Sequence, residues 1–128
     1  MTQTCMCWGL ECGEGWRDLI DNLCSRLQFD TDRNDYPQVE ATQVKEKFGG
    51  LRFYYTSIPT KKSLEKEKKW SGSQERAFGV QEGVISVFEQ LSEQTCEKCG
   101  KMDGVTQTSG WIVTLCPECM KERSEKKA

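Results

Sequence analysis

Apolar positions along the chain fall into two helical stripes, one alternating stretch and a cysteine-punctuated end. From Gly15 to Phe29, Trp16, Leu19, Ile20, Leu23 and Leu27 recur at helical spacing. Cys24 lies on the same stripe, and Asp18, Asp21 and Arg26 lie on the other faces. This predicts a helix over about 15–28, with Trp16 and Cys24 packed in the core. The segment FDTDRNDYPQ that follows reads as a loop by its Asp, Asn and Pro content. Strand signals begin near Val39 and lead to Gly49-Gly50, which suits a two-residue hairpin turn because glycine accepts positive φ freely. That turn pairs Phe48 with Leu51, Lys47 with Arg52, Glu46 with Phe53 and Lys45 with Tyr54. Alternation then puts Val44, Glu46, Phe48, Leu51, Phe53 and Tyr55 on a core face, and Lys45, Lys47, Arg52 and Tyr54 on the opposite face. Residues 57–76 are charged and poor in apolar side chains, and read as an exposed charged loop or a frayed helix. Helical order returns over 77–93, where Phe78, Val84, Ile85, Phe88 and Leu91 form the stripe. The closing MKERSEKKA reads as a frayed charged tail.

Charge changes this picture by its placement. The formal net charge of -2 hides a net -5 over residues 1–40 and a net +5 over residues 41–69. An acidic chain with one basic region is a poor general nucleic-acid binder, because sequence-independent affinity follows the number of phosphates neutralised. A small anion needs only two or three cations. The chain has no histidine, so the commonest general base and the Ser-His and Cys-His nucleophile pairs are missing. Carboxylate-only hydrolysis using Glu11, Glu14 or Asp18 is the remaining enzymatic option, and the expectation is a protein that is not an enzyme. No apolar run approaches the ~20 residues of a membrane span. The N-terminal MTQTCMCWGLECGEGW does not read as a signal peptide.

Four of the eight cysteines form Cys96-Glu-Lys-Cys99 and, sixteen residues later, Cys116-Pro-Glu-Cys119. Two such C-x-x-C turns place four thiolates at about 2.3 Å from one ion and complete a tetrahedron. Gly100 permits a tight knuckle after the first pair, and TSGWIVTLC supplies strand-like residues between the pairs. This predicts a zinc ribbon with one structural Zn²⁺ on Cys96, Cys99, Cys116 and Cys119. Two disulfides, a redox pair or a rubredoxin-like iron site are the alternatives. Cys5, Cys7 and Cys12 form a weaker C-x-C-x4-C cluster that with Cys24 could hold a second metal, or else stay as free or redox-sensitive thiols.

The segments ECGEGWRDLIDNLC, VKEKFGGLRFYY, GVISVFEQLSEQTCEKCG and WIVTLCPEC occur in that order. In them the chain resembles a family of small, largely uncharacterised proteins encoded by bacteriophages and prophages. The resemblance implies a phage origin and a compact α+β domain with an integrated ribbon; with no membrane span or signal peptide read in the chain, the expected location is the cytoplasm of a bacterial host cell. It implies no particular catalytic activity. Among the tasks of small phage proteins, capture of a nucleotide signal of host defence fits the residue chemistry. Lys45, Lys47 and Arg52 would take phosphate, and Tyr54, Trp70 or Trp8 would stack on a base.

The expectation is therefore a single α+β domain: helix plus Gly-Gly β-hairpin over 13–56, exposed loop over 57–76, helix over 77–93 and four-cysteine zinc ribbon over 94–120. Its expected function is non-enzymatic sequestration of a small phosphate-bearing, nucleotide-like ligand at Lys45, Lys47, Arg52, Tyr54 and Trp70. Two alternatives are a ribbon protein binding nucleic acid or the transcription machinery, and a direct protein inhibitor of a host enzyme anchored by Trp8 and Trp70. No membrane partner is expected, and homo-oligomerisation is left open.

Overall fold

The computed structural model describes residues 12–127, and the expectations placed on Cys5, Cys7, Trp8 and Glu11 lie outside them. A 3-10 turn, Glu14–Trp16, leads into α1, Arg17–Asn34. Ile20, Leu23, Cys24 and Leu27 form its buried face, as their spacing predicts, and Trp16 is fully buried beside them. Cys24 is disulfide-bonded, so it is neither a free thiol nor a ligand of a second metal. The helix runs through most of the stretch read as a loop. Its last turns are held by polar groups that look loop-forming in sequence. The buried Asp30 carboxylate accepts from Arg26 and Asn34, and the Thr31 hydroxyl bonds to the carbonyls of Leu27 and Pro37. The left-handed Asp35 (φ 58°) ends it.

Strands β1 (Gln38–Lys47) and β2 (Gly50–Ile58) form an antiparallel hairpin. Its turn is Phe48-Gly49, one residue earlier than the predicted Gly49-Gly50. Both turn residues have positive φ, 54° and 79°, as a type I′ turn requires. The register becomes Lys47 with Gly50, Glu46 with Leu51, Lys45 with Arg52 and Val44 with Phe53, and a bulge between Ala41 and Gln43 shifts it again. A slide of one residue with the loop length unchanged moves each partner by two, so the two faces survive. Phe48 does not. It sits on the turn, 66% exposed, instead of in the core. A left-handed phenylalanine costs about 1–2 kcal/mol. Bonds from outside the hairpin, among them one from the Thr114 hydroxyl to the Gly49 carbonyl, offset that cost.

Of the two readings of residues 57–76, exposed loop or frayed helix, the helical one holds for the middle of the stretch. β2 extends to Ile58, and Lys61–Lys69 form α2. A reciprocal capping box starts this helix: the Thr60 hydroxyl accepts from the Ser63 N–H and the Ser63 hydroxyl from the Thr60 N–H. Helix α3, Ser73–Ser92, begins earlier than predicted and buries a more polar face. Phe78 is exposed, while Ala77, Gln81, Ile85 and Ser92 are buried. The polarity has a purpose at the edge of the sheet. The Leu51 N–H donates to the Ser92 hydroxyl and the Phe53 N–H to the Glu89 carboxylate. The Gln81 side chain bridges the Ser57 hydroxyl and the Pro37 carbonyl. The free edge of β2 is thereby satisfied by a helix.

The C-terminal part holds a short ribbon, β3 (Thr106–Gln107) and β4 (Thr114–Leu115), and then α4, Pro117–Lys127. The expected frayed tail is thus largely helical. The class is α+β, with the hairpin's inner face against α1 and α3, and α2 and α4 added to the two expected helices. Among the described residues, no helix is long and apolar enough to cross a membrane.

Candidate metal centre and binding faces

The predicted C-x-x-C pairs converge. The four sulfurs of Cys96, Cys99, Cys116 and Cys119 lie within 4.8 Å of one another, and those of Cys99 and Cys116 are 3.6 Å apart. Four ligands at about 2.3 Å from a central ion would be spaced by roughly 3.8 Å, so the cluster is positioned to hold one metal ion. Backbone bonds shape the first knuckle. The Cys96 N–H donates to the Lys101 carbonyl and the Gly100 N–H to the Cys96 carbonyl, with Gly100 at φ 86°. The second pair is set by the first turn of α4. Pairs Lys98–Glu122 and Lys101–Glu118, at 2.8 and 2.6 Å, tie the first knuckle to α4, although exposed pairs of this kind add little stability.

The thiols are unequal. Burial raises the Cys96 pKa, but N–H groups of Cys116, Cys99 and Lys98 overcome this and bring it down to about 6. The Lys101 N–H favours the Cys99 thiolate, yet burial and the sulfurs of Cys96 and Cys116 hold Cys99 above the usual thiol range. Burial, then the sulfurs of Cys116, Cys96 and Cys99, push Cys119 up. Cys96 is favoured as an anion while Cys99 and Cys119 hold their protons more tightly, and a bound cation would displace those protons.

The ribbon is seated on the hairpin and the start of α1. The Gly15 N–H donates to the Glu97 carbonyl, the Gly13 N–H to the Glu97 carboxylate and the Trp16 indole to the Thr95 carbonyl. The approach requires glycine. A Cβ on Gly15 would lie 2.2 Å from the Cys96 carbonyl oxygen, and one on Gly49 would lie 2.8 Å from Ile112. Gly50 faces the Glu93 side chain. The glycine pair therefore serves close packing as much as turning, which explains why the turn does not coincide with it. Glu46, on the core-facing side, accepts from the Gly49 N–H and not from Arg17, which pairs with Glu14. Cys12, beside this junction, has its thiol raised to about 11 by burial and by Glu97, Glu14 and Glu46.

The other predicted site residues separate into two places. Lys45, Lys47, Arg52 and Tyr54 share the hairpin's outer face, with Lys45 directly opposite Arg52 and its ammonium 5.8 Å from the Tyr54 ring. None of these three cations forms an ion pair with a described residue. Trp70 does not join them. It ends α2 and lines a separate cavity with Tyr36, Lys66, Lys69 and Arg76. Sequence reasoning noticed the lysine excess there but missed the cavity, because α2 has too few apolar positions to announce a helix. It also missed Trp111, 79% exposed, which borders a cavity with Glu14, Glu46, Glu97 and Arg123. Compared with family models, curated proteins and solved structures, the chain yields no match.

Proposed function

We propose that this protein acts by non-enzymatic binding of a small phosphate-bearing, nucleotide-like ligand, with one structural Zn²⁺ closing its ribbon. The observation that carries the reading is the outer face of the hairpin, where Lys45 stands opposite Arg52 and neither is neutralised by an ion pair with a described residue. Arg52 would fork onto a phosphate, Lys45 and Lys47 would add charge, and Tyr54 would lie against a base. Four thiolates favour zinc and leave no coordination position for a reacting water, which supports a structural metal over a catalytic one. In a phage-infected bacterial cell such binding would withdraw a nucleotide signal of host defence.

Native mass spectrometry of protein purified from a bacterial host tests both parts at once. One zinc and a nucleotide-sized adduct lost in Arg52→Ala is the expected result. One zinc with no adduct, and no saturable uptake from a panel of nucleotides, overturns ligand capture. Absence of zinc overturns the metal assignment.

A second reading, binding of a single nucleic-acid strand, is favoured by the exposure of Phe48 beside the same cations, with the Lys47 ammonium 5.7 Å from its ring. A gel shift weakened steeply by salt would support it over a free nucleotide.

A further inference from the structure

The junction of α2 and α3 holds a cavity of about 590 Å³, within the ~300–1,000 Å³ typical of small-molecule sites. Its lining combines two aromatic rings, Tyr36 and Trp70, with three cations, Lys66, Lys69 and Arg76, and includes no acidic side chain. Trp70 is 65% exposed, an unusual placement for the largest apolar side chain. Lys66 is held in place: its ammonium donates to the Asn34 carbonyl at 2.8 Å and lies 5.9 Å from the Tyr36 ring. Lys69 and Arg76 form no ion pair with a described residue.

Of the two acids on α2, Glu65 forms no ion pair with a described residue, and Glu67, nearest the cavity-lining Gly72 and Ser73, does not pair with these cations either. Its carboxylate instead accepts from the N–H groups of Gly72 and Gln74 and from the Ser73 hydroxyl, at 3.0 to 3.2 Å. It caps the start of α3, and those bonds hold its pKa below the usual carboxylate range. The anion-attracting end of α3 is thus already filled, while the side-chain cations across the cavity have no acid among the described residues paired with them.

We propose that this cavity is a binding site, distinct from the hairpin face, for a ligand that joins a flat ring to a phosphate: the nucleoside monophosphate class. The ring stacks on Trp70, with Tyr36 on the far wall, and the phosphate is taken by Arg76 and Lys69. A free phosphate would use only the cations, and an uncharged nucleoside only the rings. Occupation requires both parts.

Isothermal titration of the zinc-loaded full chain with AMP, adenosine and inorganic phosphate tests this. The expected result is saturable AMP binding at least about tenfold tighter than either fragment. Trp70→Ala and Arg76→Gln each weaken it by about tenfold or more, and Lys121→Ala, at an exposed cation of α4 outside the cavity lining, leaves it unchanged. Trp70 and Arg76 are exposed, so circular dichroism and zinc content should match the unaltered protein. AMP affinity that neither variant changes overturns the site, as does no saturable binding into the millimolar range. Loss of AMP binding in Arg52→Ala alone sinks this proposal while sustaining ligand capture by the hairpin.

Discussion

The hydroxyl of Thr114 donates to the carbonyl oxygen of Gly49 at 2.5 Å, joining β4 of the ribbon to the hairpin turn across 65 residues of chain. Both groups are buried, so the bond holds a strained turn against the unit that carries the four-cysteine cluster. Thr114→Val keeps the shape and removes the donor. It should destabilise the fold by about 1–3 kcal/mol, because a buried carbonyl loses its partner. Denaturant unfolding should show a lower midpoint with an unchanged slope.

The glycines divide into those the packing requires and those it does not. Gly15→Ala places a methyl 2.2 Å from the Cys96 carbonyl oxygen and 2.6 Å from the Gly100 nitrogen. It should cost at least ~2 kcal/mol and weaken metal retention. Gly79 and Gly83 lie inside α3 with nothing within 4 Å of an added Cβ. Alanine at either should stabilise by roughly 0.5–1 kcal/mol through better helix propensity. Thermal melts of the three variants would separate the classes, and a stabilising Gly15→Ala would show that the ribbon is not seated there.

Removal of the Ser92 hydroxyl strands the Leu51 N–H at the edge of β2. Ser92→Ala should cost about 1–3 kcal/mol. Glu89→Gln retains an oxygen for the Phe53 N–H and should cost less. Hydrogen exchange at Leu51 should accelerate in the serine variant and not in the glutamine variant.

Cys12 should be a slow nucleophile. Its thiol is raised from 9.0 to about 11, and the thiolate is the reactive form. Near pH 8 its thiolate fraction falls about 100-fold below that of an unperturbed cysteine. Alkylation read by peptide mass spectrometry should keep accelerating as pH rises toward 11, whereas in denatured protein it should level off near 9. Equal rates in the folded and denatured chains would show that burial does not protect this thiol.

The cysteine spacing was legible because metal ligation demands a fixed local geometry that appears directly as C-x-x-C. The α1 stripe was legible because one apolar core dictates period. The turn was misplaced by one residue because Gly-Gly suits either position, and the choice depends on Thr114, Glu46 and Glu93, two of them far away in sequence. α2 was hidden because KKSLEKEKK has almost no apolar face, and its start depends on Thr60 and Ser63, which look like ordinary loop residues. α3 carries Gln81, Glu89 and Ser92 inward for bonds to another element, so its buried face departs from the apolar stripe. The candidate cavity at Trp70 exists only once α2 and α3 meet.

The bonds that seat the ribbon, Thr114 to Gly49, Trp16 to Thr95 and Gly13 to Glu97, join positions 65 to 84 residues apart. The hairpin itself closes over two residues. Loop-closure entropy therefore lets the hairpin form early and leaves the ribbon to arrive late. If the arriving ribbon must capture its ion to hold its shape, the rate of reaching the native state carries a term in free metal concentration. The hairpin strands would then pair first, the Thr114 hydroxyl would reach the Gly49 carbonyl only when the ribbon docks, and the maturation of newly made chains would follow the supply of that ion.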